Sequence, residues 1–209
     1  RVQARAGRVG GGGGCGGGSC RAGGRRLDQF LQDGSNQRTD EYGGSVANRM
    51  KFPLEVLDAV IGVWGKDQVG VRLSPYGTFN GVSDSDPMNL FGQVIEEFNK
   101  RGIVYINMIE PRATTAGGDD NVNDKAVCTS DLFRAKFNGM FISSGGYKPE
   151  TAEVALNDNK ADAIMFGRWF IANPDLPERI AKKAELNKYD RATFYGGDDK
   201  GYTDYPFLS

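Results

Sequence analysis

Apolar residues recur at spacings of three and four from about Met50 to Trp64, so that Met50, Leu54, Leu57, Ile61 and Trp64 share one face of a predicted helix. Pro53 is expected in its first turn, where a missing N–H does no harm, and Gly65 is expected to end it. The pattern then shortens. VGVRLS (Val69 to Ser74) is β-branched and bounded by polar turns, which predicts a buried strand. In the next segment Asp86 stands as a helix N-cap and Pro87 at the first helical position. Leu90, Phe91, Val94, Ile95 and Phe98 supply the buried face, and Gly102 the stop. Further strands are predicted at Ile103–Ile109, Gly139–Gly146 and Ala161–Gly167. The helices between and after them are TSDLFRAKF, capped by Thr129 or Ser130, KPETAEVALNDN, opened by Pro149, and NPDLPERIAKKAEL.

Strand and helix alternate with no sign of hairpins, which predicts an α/β fold with a parallel sheet buried on both faces by helices. On this pattern alone, four such units are either an open doubly wound sheet or half of an eight-fold barrel. The 209 residues are one domain's worth of sequence. A formal net charge of -1 hides an asymmetry: residues 1–26 hold Arg and no acid, so the remainder is acidic and a poor match for nucleic acid. No run approaches the roughly 18 apolar residues of a membrane span, and the head lacks the apolar stretch of a signal peptide. Three scattered cysteines are unlike a disulfide framework, so a reducing, cytoplasmic setting is expected. Histidine is absent, which removes His-based metal sites and Ser–His or Cys–His catalysis within this chain.

In α/β folds chemistry collects where strands end. Those positions hold Arg72, Glu110 with Arg112, Ser144–Gly145–Gly146 and Gly167–Arg168. A Ser-Gly-Gly turn after one strand and Gly-Arg after the next offer backbone N–H groups and a guanidinium, the makings of a phosphate site. They are equally compatible with a tight turn and a structural ion pair. Arg72 interrupts an apolar strand, so it is expected to face a cleft or a buried partner.

Several long segments then resemble one family. DQFLQDGSNQRTDEYGGSVANR, VGVRLSP, DSDP, MIEPR, FISSGGY, FGRWFIANPDLPER and LNKYDRATFYGGDDKGYTDYPFL are similar to the C-terminal half of the Old Yellow Enzymes. Within that family the segments look like those of the 12-oxophytodienoate and N-ethylmaleimide reductases. The resemblance runs from about Leu27 to Ser209 and implies the C-terminal half of a (β/α)8 TIM barrel over residues 27–209. It also implies an FMN-dependent, NADPH-using ene-reductase that reduces the C=C bond of α,β-unsaturated carbonyls such as 12-oxophytodienoate-like enones. Carried over by motif, Arg72 resembles the arginine at the flavin pyrimidine edge. Ser144, Gly145, Gly146, Gly167 and Arg168 fall in the region that binds the FMN phosphate. Arg112 matches a substrate-side residue, and Phe194 and Tyr195 resemble aromatics at the mouth of the flavin pocket.

The departure lies upstream. The family's carbonyl-polarising pair (His with Asn or a second His) and its proton-donating tyrosine precede the QFL motif, where this chain has GGGGCGGGSCRAGGRR. Cys20, Gly23 and Arg25 stand at roughly those places, so no catalytic residue is assigned. The alternative to an ene-reductase is therefore an inactive half-barrel, at most a weak flavin or phosphate binder or an interaction module. Residues 1–26 form a Gly/Arg-rich irregular segment. They lack the spaced glycines and Lys-Ser/Thr of a phosphate loop, the repeats and aromatics of an RNA-binding arm, and partner ligands for a zinc ion at Cys15 and Cys20. A flexible leader and a product of a shifted reading frame both remain, the latter preferred because GC-rich DNA read out of register yields such runs. A half-barrel leaves two sheet edges open, which predicts self-association.

Overall fold

The computed structural model describes residues 25–78, 81–112, 122–123, 125–194 and 197–208. The chain begins there with α1 (Arg25–Leu31), two residues before the expected seam, and continues into α2 (Val46–Trp64). Helix α2 starts earlier than its apolar pattern suggests because Ser45 caps it, its hydroxyl accepting from the Asn48 N–H at 3.2 Å. Pro53 consequently lies in the helix interior, buried, and not in the first turn. The face that packs inward is Arg49, Met50, Pro53, Leu57 and Val60, whereas Trp64 is exposed. Gly65, at φ +78°, ends the helix and donates to the Ile61 carbonyl.

Strand β1 (Gly70–Leu73) leads to α3 (Pro87–Arg101), which matches its sequence reading in detail. The Asp86 side chain accepts from the Asn89 N–H, Pro87 occupies the first turn, and Gly102 closes the helix in the left-handed region at φ +65°. Strand β2 (Tyr105–Ile109), α4 (Thr129–Phe133), β3 (Met140–Ser144), α5 (Pro149–Asn157) and β4 (Ala163–Met165) come next along the chain. Neither Thr129 nor Ser130 caps α4. Both lie inside it, Cys128 takes the cap position, and the carboxylate of Glu110 receives the first N–H groups instead. A short helix that the sequence reading does not contain, α6 (Arg168–Ala172), follows β4, and the last predicted helix, residues 173–186, is the shorter α7 (Leu176–Lys182), stopped by Lys183 at φ +52°.

All four strands are parallel and lie in the order β1-β2-β3-β4. Sequential order without reversal has no topological switch point, which matches the winding of a barrel wall and differs from the crossing point of a doubly wound sheet. Val71, Leu73, Ile106, Met108 and Phe141 pack against Leu57, Val60, Leu90, Phe91, Val94, Ile95 and Phe98 in one apolar cluster. Helices therefore gather on one face. The expectation of a sheet covered on both faces fails, because Arg72, Met140 and Met165 on the opposite face are exposed. A barrel wall meets helices only outside, and its inner face packs on strands from across the barrel. On that inner face a Cβ at Gly70 would lie 2.3 Å from the ring of Tyr105, its cross-strand partner, so a larger residue there would have to push that ring aside.

Candidate functional site

The long segment from Asp28 to Arg49 folds into a clasp that holds the loop after β1. Arg49 is buried and fully engaged: its Nε donates to the Leu31 carbonyl at 2.7 Å, Nη1 to the Gly44 carbonyl at 3.0 Å, and Nη2 to Asp84 at 3.1 Å. Asp33 accepts from the Ser85 N–H, and its own N–H donates to Asp84. The loop between β1 and α3 is thus tied down at its far end, while its near end carries Arg72 and Ser74.

Beside that near end sits Asp28, 2% exposed, with one carboxyl oxygen that has no hydrogen-bond partner. Burial pushes its carboxyl up to about 7, against the opposing pull of the Ser74 backbone bond and the Arg72 charge. One turn further, Gln32 donates to the Ser74 carbonyl at 3.4 Å and keeps a buried, unpaired side-chain oxygen. Across the sheet, Asn107 pairs in register with Arg72; its amide donates to the Ile142 carbonyl, and its oxygen too is buried and unpaired. Arg72 itself is exposed on the inner face, with buried Asp28 as its nearby acid. The neighbourhood is rich in acceptors and holds one guanidinium.

The ends of β3 and β4 are built differently. Ser144 and Met165 are register partners, so Gly146 and Gly167 come at matching positions two residues beyond them on adjacent strands. Gly145 and Gly146 hold φ +110° and +67°, left-handed conformations that favour glycine in succession. A Cβ on Gly145 would meet the Glu110 carbonyl at 2.8 Å, whereas one on Gly167 would meet nothing within 4 Å. The Ser144 hydroxyl turns away from this edge and donates to the Met108 carbonyl at 3.2 Å. Arg168, the first residue of α6, reaches the Tyr189 hydroxyl at 3.4 Å. Phe194 is buried against Tyr189, which connects it to Arg168. Tyr195 lies outside the described residues.

Glu110 organises this end. Its carboxylate, 1% exposed, accepts from the Thr129 N–H at 2.7 Å, the Ser130 N–H at 3.1 Å, the Ser130 hydroxyl at 2.5 Å and the Ser143 hydroxyl at 3.0 Å. Its N–H donates to the Ser144 carbonyl at 2.7 Å. Ser143 contacts the Tyr147 hydroxyl at 3.0 Å, and burial raises the Tyr147 pKa. Arg112 lies over the Tyr147 ring at 4.0 Å, and its Nε donates to the Gly145 carbonyl at 2.9 Å.

The C-terminal edge of the sheet therefore offers a glycine turn with arginines beside it at one end, and unpaired acceptors around Arg72 at the other. It is complementary to a ligand that is anionic at one end and bears N–H or O–H donors at the other. Asp28, Gln32 and Asn107 carry no sequence signal of their own, and only the packing of α1 and the pairing of β1 with β2 bring them near Arg72. Among the described residues no group of three metal-ligating side chains occurs, and no helix is long and apolar enough to cross a membrane.

Comparison with known proteins finds chains of similar sequence and fold. The family model described as NADH:flavin oxidoreductase / NADH oxidase matches residues 21–187. 12-Oxophytodienoate reductase 2 of Arabidopsis thaliana is 48% identical over 185 residues, covering 87% of this chain and 48% of the relative. Putative 12-oxophytodienoate reductase 10 of Oryza sativa subsp. japonica is 47% identical, with 90% and 60% covered. Among solved structures, morphinone reductase in complex with tetrahydroNAD superposes with a TM-score of 0.77 at 45% identity, over 88% of this chain and 47% of that one. An old yellow enzyme homologue from Zymomonas mobilis gives 0.79 at 40% identity, over 87% and 50%. The chain spans about half the length of most of these relatives.

Proposed function

Because the chain belongs to the NADH:flavin oxidoreductase / NADH oxidase family, we propose that it forms the flavin-edge and phosphate-holding half of an FMN-dependent ene-reductase. The fold in this reading is the C-terminal half of a (β/α)8 barrel, residues 27–209. The observation that carries it is the Gly145–Gly146 turn, two successive left-handed glycines that follow β3 where Gly167 and Arg168 follow the neighbouring β4. FMN fits the residues present. Its phosphate suits the turn and Arg168, and its ring N–H and ribityl hydroxyls suit the unpaired oxygens of Asp28, Gln32 and Asn107 around Arg72. When bound, FMN supplies hydride transfer. Arg72 would offset negative charge at the pyrimidine edge of the ring, and Phe194 with Tyr195 would border the pocket mouth. NADPH is the proposed hydride donor and an α,β-unsaturated carbonyl of the 12-oxophytodienoate type the acceptor, in a cytoplasmic setting. Support for that substrate class comes from the names of the plant relatives.

A second reading is favoured by one observation: Cys20, Gly23 and Arg25 stand where the family's polarising pair and tyrosine are expected. In it the chain is at most a weak flavin or phosphate binder and turns over no enone. Its open β1 and β4 edges and the exposed Met140 and Met165 support self-association. Purification of the chain with FMN, and then NADPH oxidation with 2-cyclohexenone, separates the two. A yellow protein that consumes NADPH upon enone addition carries the first reading. A yellow, inactive one, or a colourless one that takes up no FMN, carries the second and defeats the first.

A further inference from the structure

Arg112 follows β2 in the segment Glu110–Pro111–Arg112, and its side chain reaches the turn after β3. Its Nε donates to the Gly145 carbonyl at 2.9 Å, its guanidinium carbon lies 4.0 Å over the Tyr147 ring, and its Nη2 is buried with no hydrogen-bond partner. The same turn is held from below. The Glu110 N–H bonds the Ser144 carbonyl, the Glu110 carboxylate holds Ser143, and Ser143 holds the Tyr147 hydroxyl. Arg112 and Glu110 therefore close a ring around Ser144–Tyr147, one through the Gly145 carbonyl and the other through the strand end.

We propose that Arg112 is a positioning residue for the phosphate-binding turn, a role distinct from the substrate side on which the family resemblance sets it; this rests on the flavin-phosphate reading above. A Gly-Gly peptide at φ +110° and +67° has many alternatives open to it, because glycine visits most of the backbone map. Fixing the Gly145 carbonyl fixes the plane of the Gly145–Gly146 peptide, and with it the direction of the Gly146 N–H. Arginine suits the task. Its planar fork donates through Nε while the same guanidinium lies over the Tyr147 ring, so one side chain is held at two points. The buried, unpaired Nη2 adds positive charge beside the turn, which a bound dianion would offset across a low-dielectric gap.

The test is the ratio of FMN to riboflavin affinity, measured by flavin fluorescence titration of the full chain. The two ligands share the ring and ribityl chain and differ in the phosphate. Arg112→Met is expected to weaken FMN about tenfold, the scale of a lost supporting contact, and leave riboflavin unchanged. Arg112→Gln, whose amide can still donate to the Gly145 carbonyl, is expected to recover part of the ratio. If Arg112→Met loses its native circular-dichroism signal, Tyr147→Leu, which removes the ring beneath the guanidinium, is read by the same ratio. A fall in the ratio supports the proposal. Parallel losses for both ligands, or an unchanged ratio, overturn it and leave the phosphate site standing. A wild-type chain that does not prefer FMN defeats the phosphate reading and this inference together.

Discussion

Glu110 and Asp28 are equally hidden from water, at 1% and 2% exposure, and the fold treats them in opposite ways. Glu110 lies at the end of β2 and receives two backbone N–H groups and two hydroxyls, because the first turn of α4 is built over it. Asp28 lies on α1 with one oxygen unpaired, and burial outweighs the pull of Ser74 and Arg72, pushing its carboxyl to about 7. Burial is common to both; the supply of donors is not. The Glu110 end meets its carboxylate with protein donors and leaves the Arg112 Nη2 and the Thr129 hydroxyl without partners. The Arg72 end holds three buried oxygens that the described residues leave unmatched.

The largest effect is expected where the carboxylate is met by donors. Glu110→Ala strips the acceptor from Thr129, Ser130 and Ser143 and should cost about 3–5 kcal/mol in denaturant unfolding, because several buried donors lose their partner at once. A loss below about 1 kcal/mol would mean that water replaces the carboxylate, and the contrast with Asp28 would dissolve.

Asp28 comes next and with the opposite sign. Its carboxyl is raised from the ordinary 3.8 to about 7, so between those values the folded chain holds the proton more tightly than the unfolded one. Stability should therefore fall as pH rises through that window, by at most about 1.4 kcal/mol per pH unit. Asp28→Asn removes this dependence, so its melting temperature relative to wild type should rise between roughly pH 4 and pH 7, across that window. A constant offset across that range would show that Asp28 is not raised, and the comparison would lose its second half.

The glycines sharpen the picture at the smallest scale. Gly145→Ala places a Cβ 2.8 Å from the Glu110 carbonyl in a left-handed backbone and should cost about 1–3 kcal/mol. Gly167→Ala meets nothing within 4 Å and should stay within about 0.5 kcal/mol of wild type. If Gly167→Ala nevertheless weakens FMN binding, that loss reports on the ligand and not on folding. Equal stability losses in the two variants would contradict the geometry of both turns.

Much of the fold is legible in the chain itself. Helix α3 is readable from end to end because Asp86, Pro87 and Gly102 punctuate an unbroken apolar stripe. Helix α2 reads short because its first turns carry Ala47, Asn48 and a buried Arg49, which the apolar period does not register. The cap of α4 escapes its own sequence because the acceptor comes from Glu110, 19 residues upstream of Thr129, and local spacing cannot reveal a cap borrowed through tertiary packing. The sheet's one-sided cover likewise depends on strand order, which no single strand encodes. At the candidate site, the Gly-Gly turn and its pairing with Gly167–Arg168 are visible as spacing. The oxygens of Asp28, Gln32 and Asn107 are not, since they meet Arg72 only after α1 packs on β1 and β2 pairs with it.

The central claim is that this chain by itself holds the phosphate end of a flavin mononucleotide site. It is tested most directly by titrating the purified wild-type chain with FMN and with riboflavin, with inorganic phosphate as competitor. Saturable FMN binding, stronger than riboflavin binding and displaced by phosphate, is the predicted result. Equal binding of both flavins, indifferent to phosphate, would contradict it.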